Sequence, residues 1–208
     1  MHFKLQIRST NLLICHNCNI HIFYGGDFLL KIFATQLSGV FNSIQDKQIY
    51  NIEDGARLLS QSIVSGGSIY LYGTDEMLAI TSEAINGIEP LSHAVALNKA
   101  ETLNSISEID RVLLVTRSST NQEALTIAKE LNEKGIPFVS ISATTENDEE
   151  SIVDLADVHI DLLLKKGLVP TEDGSRIGLP FSMAALYVYY GLKFTIDDIL
   201  KELDADLE

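Results

Sequence analysis

The chain has no tryptophan, only two cysteines and four prolines, and 7% aromatic residues in 208 positions. Two cysteines, Cys15 and Cys18, cannot staple a domain of this size, so a disulfide scaffold is excluded. No apolar run approaches the roughly 20 residues that a membrane-spanning helix needs. Basic residues are scarce: 15 Lys and Arg stand against 29 Asp and Glu, a net charge of −14. So acidic a chain repels phosphate backbones and anionic lipid, which leads us to expect a cytoplasmic protein with no nucleic-acid and no membrane partner. Apolar material is abundant. Hydrophobic residues make up 46% of the chain and mean hydropathy is +0.14, enough for a globular core.

The first thirty residues read differently from the rest. They hold both cysteines and three of the five histidines, His2, His16 and His21, and show neither helical nor strand periodicity. Cys15-His16-Asn17-Cys18 with His21 carries metal-ligand residue types, but a structural zinc needs four ligands and no second pair exists in the chain. No metal is therefore expected, and residues 1–28 read as an unstructured extension. Tyr24-Gly25-Gly26-Asp27 can be encoded by a purine-rich GGNGGNGA stretch of the kind a bacterial ribosome binds. Leu29 follows at a suitable distance, and the leucine codon TTG can initiate. The expectation is a native start at Leu29 and a single domain over 29–208.

From residue 30 the pattern is regular. Helical spacing predicts one helix over 30–44 and a second from Asn51, as N-cap, to the glycine pair Gly66-Gly67. Short apolar runs at 68–72, 93–97, 111–115, 136–141 and 158–162 read as strands. Helical segments at 77–86, 122–134 and 151–156 separate them, the second closed by Gly135. A long connection over 163–177 precedes a helix at 179–192, after which Thr195 is read as capping a last helix over 196–203. Strands alternating with helices imply βαβ units, hence a three-layer α/β domain with a five-stranded parallel sheet.

In an open parallel sheet, ligands bind beyond the carboxyl ends of the strands where the strand order reverses. Thr116-Arg117-Ser118-Ser119-Thr120-Asn121 stands between a strand end and a helix start. Its hydroxyls, its amide and the free N–H groups of the helix suit an anion, or serve simply as a soluble cap. The turn after the first strand, Gly73-Thr74-Asp75-Glu76, lacks a glycine pair, and GxGxxG, Walker and GxSxG motifs are absent, so no cofactor is expected. Glu76 is the best candidate base, or else a glutamate that favours a helix N-terminus. Ahead of the last core helix, Ser175 could cap and Arg176 could clamp an anion, the plain alternative being a surface loop. Of the remaining histidines, His159 inside a strand reads as structural, and His93 stands in a short strand or loop.

These residues resemble the core of the sugar isomerase (SIS) domain, with its Ser-x-Ser-Gly-x-Thr signature, a helix ending in Lys-x-Gly, and Leu-Ala-Asp before the last strand. Here Thr116 and Ser118 match the two serines, Ser119 replaces the glycine and Asn121 the threonine, and Leu155-Ala156-Asp157 matches the later motif. The whole segment is similar to small bacterial phosphoheptose-isomerase-like proteins. The resemblance implies a flavodoxin-like fold, a homodimer or homotetramer, and a sugar phosphate held by Thr116, Ser118, Ser119, Thr120 and Asn121, with Thr74, Ser175 and Arg176 adding contacts. It implies isomerisation with Glu76 as base, but the family's histidine on the last core helix is missing. The alternative is a sensing or regulatory module that binds the phosphosugar without turnover and acts through a protein partner.

Overall fold

The computed structural model describes residues 12–14, 21–23, 26–98, 103–145 and 150–205. Strands β1 (Leu12–Ile14) and β2 (His21–Phe23) pair antiparallel within the expected extension. Residues 1–11, 15–20 and 24–25, Cys15, His16 and Cys18 included, lie outside the described residues, as does most of the acidic stretch 146–150. The chain divides into two compact units, Met1–Gly39 with Lys166–Leu179, and Val40–Lys165 with Pro180–Glu208.

The larger unit holds the sheet. Strands β3 (Ile69–Gly73), β4 (Ala94–Ala96), β5 (Arg111–Ser118), β6 (Phe138–Ala143) and β7 (Val158–Asp161) are all parallel, in the order β4-β3-β5-β6-β7. With the strands counted from one, this is the 2-1-3-4-5 order of flavodoxin-like folds. Val112 to Val115 are at most 1% exposed, as an apolar strand covered on both faces must be. Val112, Leu114 and Phe138 on one face pack with Ala124, Leu125, Ala128 and Leu131 of α3 (Gln122–Lys134) and with Ile152 of α4 (Ile152–Leu155). On the other face lie α5 (Phe181–Ala205) and the part of α1 (Gly26–Val64) that belongs to this unit. A Cβ at Gly55 would stand 3.2 Å from Leu192 and 3.3 Å from Val139, so glycine lets α1 approach both α5 and β6. A 3-10 turn (Asp75–Met77) leads into α2 (Leu78–Asn86).

Two expected helix breaks are absent. Residues 30–44 and 51–64 belong to the single helix α1, and residues 181–205 run unbroken as α5. The read N-caps are mid-helix side chains with local partners. The Asn51 amide donates to Gln48 Oε1 at 2.8 Å, and Thr195 Oγ1 donates to the Gly191 carbonyl one turn back at 2.9 Å. No proline or glycine interrupts 45–50 or 192–195, so nothing stops propagation. Helix α3, by contrast, begins and ends where its caps say. Asn121 Oδ1 accepts from the Ala124 amide at 3.0 Å, and Gly135 takes φ +67° to close the other end.

Glycine can be removed where it serves no such purpose. Gly39 is exposed inside α1, with nothing within 4 Å of a would-be Cβ. Gly39→Ala should therefore raise stability by about 0.5–1 kcal/mol. A rise in the thermal midpoint is the expected reading, and a fall would show that this stretch is not helical.

The amino ends of the strands are tied by Asp110, which is 6% exposed. Its Oδ1 accepts from the Ser68 amide at 2.7 Å, and its Oδ2 from the Ser107 amide at 2.8 Å and hydroxyl at 2.7 Å. His93, with φ +57°, lies at this same end. Its Nδ1 is 2.7 Å from the Gly67 carbonyl, which makes it a structural residue remote from the strand tips.

The smaller unit contains a hairpin of β8 (Val169–Pro170) and β9 (Arg176–Ile177). Gly174 in its turn has φ +84°.

Candidate functional site

The order reverses between β3 and β5, whose carboxyl ends lie side by side with Gly73 paired to Val115. Beyond β3 the chain turns so tightly that a Cβ on Gly73 would collide with the Met77 carbonyl oxygen and come within 2.6 Å of its carbon. The Thr74 amide donates to the Val115 carbonyl at 3.1 Å, and Asp75 takes φ +48°. Thr74 is 4% exposed, and its Oγ1 is buried with no hydrogen-bond partner.

The second half of the site differs from expectation. Strand β5 does not stop at Val115 but runs through Ser118, with a break in its pairing to β6 between Val115 and Ser118. Thr116 is therefore a buried strand residue, its Oγ1 donating to the Ser118 carbonyl at 2.7 Å. The loop shrinks to Ser119-Thr120-Asn121. Ser119 has no positive φ, so this loop does not require the glycine of the family signature. It faces inward instead. Its amide donates to the Ala143 carbonyl at 3.0 Å, its carbonyl accepts from Ile152, and its hydroxyl lies 3.2 Å from both Oγ1 and the amide of Thr145. Thr116 and Ser119 thus hold the loop and do not line it.

Ser118, Thr120 and Asn121 stay half-buried at the surface. Ser118 Oγ is 3.0 Å from Thr120 Oγ1 and accepts from the Thr120 amide at 3.3 Å. The Asn121 amide donates to the Ser118 carbonyl, and its side chain takes the Ala124 amide. The first N–H groups of a helix have no partner within it, so the amides of Gln122 and Glu123 are the donors left over.

Charge at the site is arranged by pairs. Arg117 donates from Nε to Glu76 Oε1 at 2.8 Å and from Nη2 to Oε2 at 2.6 Å, a bidentate bridge from the end of β5 to the turn after β3. These bonds from Arg117 hold the Glu76 carboxyl below its ordinary range although partial burial opposes them. Tyr72 donates to Glu123 Oε1 at 2.6 Å, and burial together with that carboxylate pushes the phenol upward. The Arg117–Glu76 pairing joins positions 41 residues apart and was not anticipated. Given the strand order, an acid in one strand-end loop and a base in its neighbour would have signalled it.

Ser175 and Arg176 stand in the hairpin of the smaller unit, each with partners there. Ser175 belongs to the turn, with its hydroxyl 2.6 Å from Thr171 Oγ1 and its amide donating to Asp173 Oδ1 at 3.0 Å. The Thr171 hydroxyl and the Ser175 groups bring the Asp173 carboxyl down to about 2. The Arg176 guanidinium donates to the Gly167 and Leu168 carbonyls at 2.6 and 2.8 Å, so it closes the hairpin. His159 is structural as expected. Its Nδ1 is 2.8 Å from Ser140 Oγ and its Nε2 3.3 Å from Thr144 Oγ1, and burial pushes its pKa down. Among the described residues there is no cluster able to hold a metal ion, and no helix is long and apolar enough to cross a membrane.

Residues 29–200 match the family model described as a domain of unknown function, DUF2529. The chain belongs to this family. A relative, the "Uncharacterized protein YwjG" of Bacillus subtilis (strain 168), is 47% identical over 174 residues, which are 84% of this chain and 99% of the relative. Among solved structures, this DUF2529 chain is similar to c3406 of Escherichia coli CFT073 in complex with a sugar phosphate. There the TM-score is 0.61 at 16% identity, over 84% of this chain and 91% of that one. It is also similar to the phosphoheptose isomerase GmhA of Neisseria gonorrhoeae, with TM-score 0.56 at 14% identity, over 83% of this chain and 98% of that one. The fold of this DUF2529 chain is thus that of the sugar isomerase domain, as its sequence resemblance implied.

Proposed function

We propose that this DUF2529 protein binds a phosphosugar at the carboxyl ends of β3 and β5. The supporting observation is the set of donors converging there: the hydroxyls of Ser118 and Thr120 stand beside the two unpartnered amides that open α3. Asn121 fixes the helix start, Thr116 and Ser119 fix the loop, and the Thr74 hydroxyl, which has no partner of its own, is the contact offered from the β3 turn. The sugar-phosphate complex of c3406, a protein of the same fold, supports the ligand class. Ser175 and Arg176 have partners of their own and are given no ligand contact. The protein works in the cytoplasm as a homo-oligomer.

Binding without turnover is the favoured form. Isomerisation needs a base, and Glu76, the best candidate, is ion-paired and held as a carboxylate of lowered basicity. The protein then acts as a sensor whose output a protein partner reads.

The test is a thermal-shift panel of ribose 5-phosphate, fructose 6-phosphate and sedoheptulose 7-phosphate with the unphosphorylated sugars as controls. Ligand at a hundredfold over Kd adds about 2.7 kcal/mol, a shift of roughly 5–10 °C for a protein this size. The shift should require the phosphate and vanish in Ser118→Ala/Thr120→Ala. A panel with no response would overturn the reading.

A further inference from the structure

The Arg117–Glu76 bridge joins the end of β5 to the turn after β3, the two strands whose carboxyl ends carry the proposed site. Arg117 is adjacent in sequence to Ser118, whose hydroxyl is in the cradle, and Glu76 follows Thr74 by two residues. Both partners remain accessible, with side-chain exposures of 53% and 35%, and an exposed pair of this kind is weak because water and salt screen it. A guanidinium fork fits two phosphate oxygens as well as it fits two carboxylate oxygens, and a dianion attracts it more strongly. The same turn carries the buried Thr74 hydroxyl, which has no hydrogen-bond partner.

We propose that Glu76 is an internal stand-in for the ligand's anion, and that a phosphate group displaces it from Arg117. Arg117 thereby becomes a direct ligand contact, and Glu76 swings free as the phosphate arrives. This rests on the phosphosugar reading and adds two properties to it. The site selects dianionic phosphate over monoanionic groups of similar shape, because only the dianion outcompetes a tethered carboxylate. The carboxylate also returns to ordinary basicity only when a phosphate is seated, so any proton transfer by Glu76 is gated by the ligand's far end. The charged group that acts on Glu76 is Arg117 from β5, and Asp75 on the same turn acts on Arg117.

The experiment is calorimetric titration of the full chain with inorganic phosphate and with fructose 6-phosphate. Glu76→Gln should bind inorganic phosphate about fivefold more tightly than wild type, since the competitor is gone, and Arg117→Gln about tenfold more weakly. In wild type, the carbon-13 resonance of the Glu76 carboxyl should titrate at higher pH when phosphate is saturating. Suppose phosphate binds wild type, Ser118→Ala/Thr120→Ala abolishes it, and Glu76→Gln binds no more tightly. The exchange is then wrong while the site stands. If neither wild type nor Glu76→Gln binds either probe, the site and the exchange fail together.

Discussion

Gly73→Ala is expected to destabilise the protein by about 3 kcal/mol and to lower its melting temperature by about 9 °C. The added methyl meets backbone, not a flexible side chain: the Met77 carbonyl group, and the Leu78 amide nitrogen at 2.9 Å. Backbone of a 3-10 turn cannot rotate aside, so the turn that carries Thr74 and Glu76 must lift from the end of β3. The Thr74 amide then loses the Val115 carbonyl, and the two loops at the switch point separate. Phosphosugar binding should disappear with it, even at temperatures where the variant is fully folded. Thermal melts and the ligand panel on the same sample check both halves. A variant as stable as wild type would show that the turn is looser than described.

Asp110→Ala acts at the opposite end of the sheet and should cost about 2 kcal/mol, because it strips charge-assisted hydrogen bonds from the amides of Ser68 and Ser107. Burial alone would raise the Asp110 carboxyl, but bonds from Ser107 and Ser68, aided by the Arg111 charge, outweigh it and bring the pKa down. A carboxyl more acidic in the folded state stabilises the protein above its unfolded pKa. That contribution is complete at neutral pH and declines as pH falls below the ordinary value of 3.8, through the lower folded one. The gap between wild type and Asp110→Ala should therefore be constant from pH 5 to 8 and shrink in stronger acid. Denaturant titrations across that range measure it, and a gap that widened in acid would contradict the assignment. Asp110→Asn, which keeps one acceptor, should fall between the two.

The sheet and the helix α3 were legible in the sequence because their signals are local. Asn121 and Gly135 bracket α3 with a cap at each end, and five short apolar runs with helices in three of the four gaps between them leave few topologies other than the one observed. The long helices were not legible, since Asn51 and Thr195 are residue types that cap in one context and bond within the helix in another. For the site, residue types marked the right loop but not which side chains turn inward. Ser118 and Ser119 are indistinguishable by composition, yet the first stays half-buried at the strand end while the second is buried and bonded to Ala143 and Thr145. The Glu76–Arg117 pair exists only because β3 and β5 are neighbours, a relation that no local pattern contains.

The loop after β5 is finished before any ligand arrives. Ser119 is bonded through its amide, its carbonyl and its hydroxyl, and Asn121 holds the start of α3. Such a loop has already lost its conformational freedom during folding, so seating a ligand demands almost no further ordering. The β5 side is accordingly preorganised, and the ligand-linked exchange proposed above is left to side chains at its rim and to the turn from Gly73 to Met77.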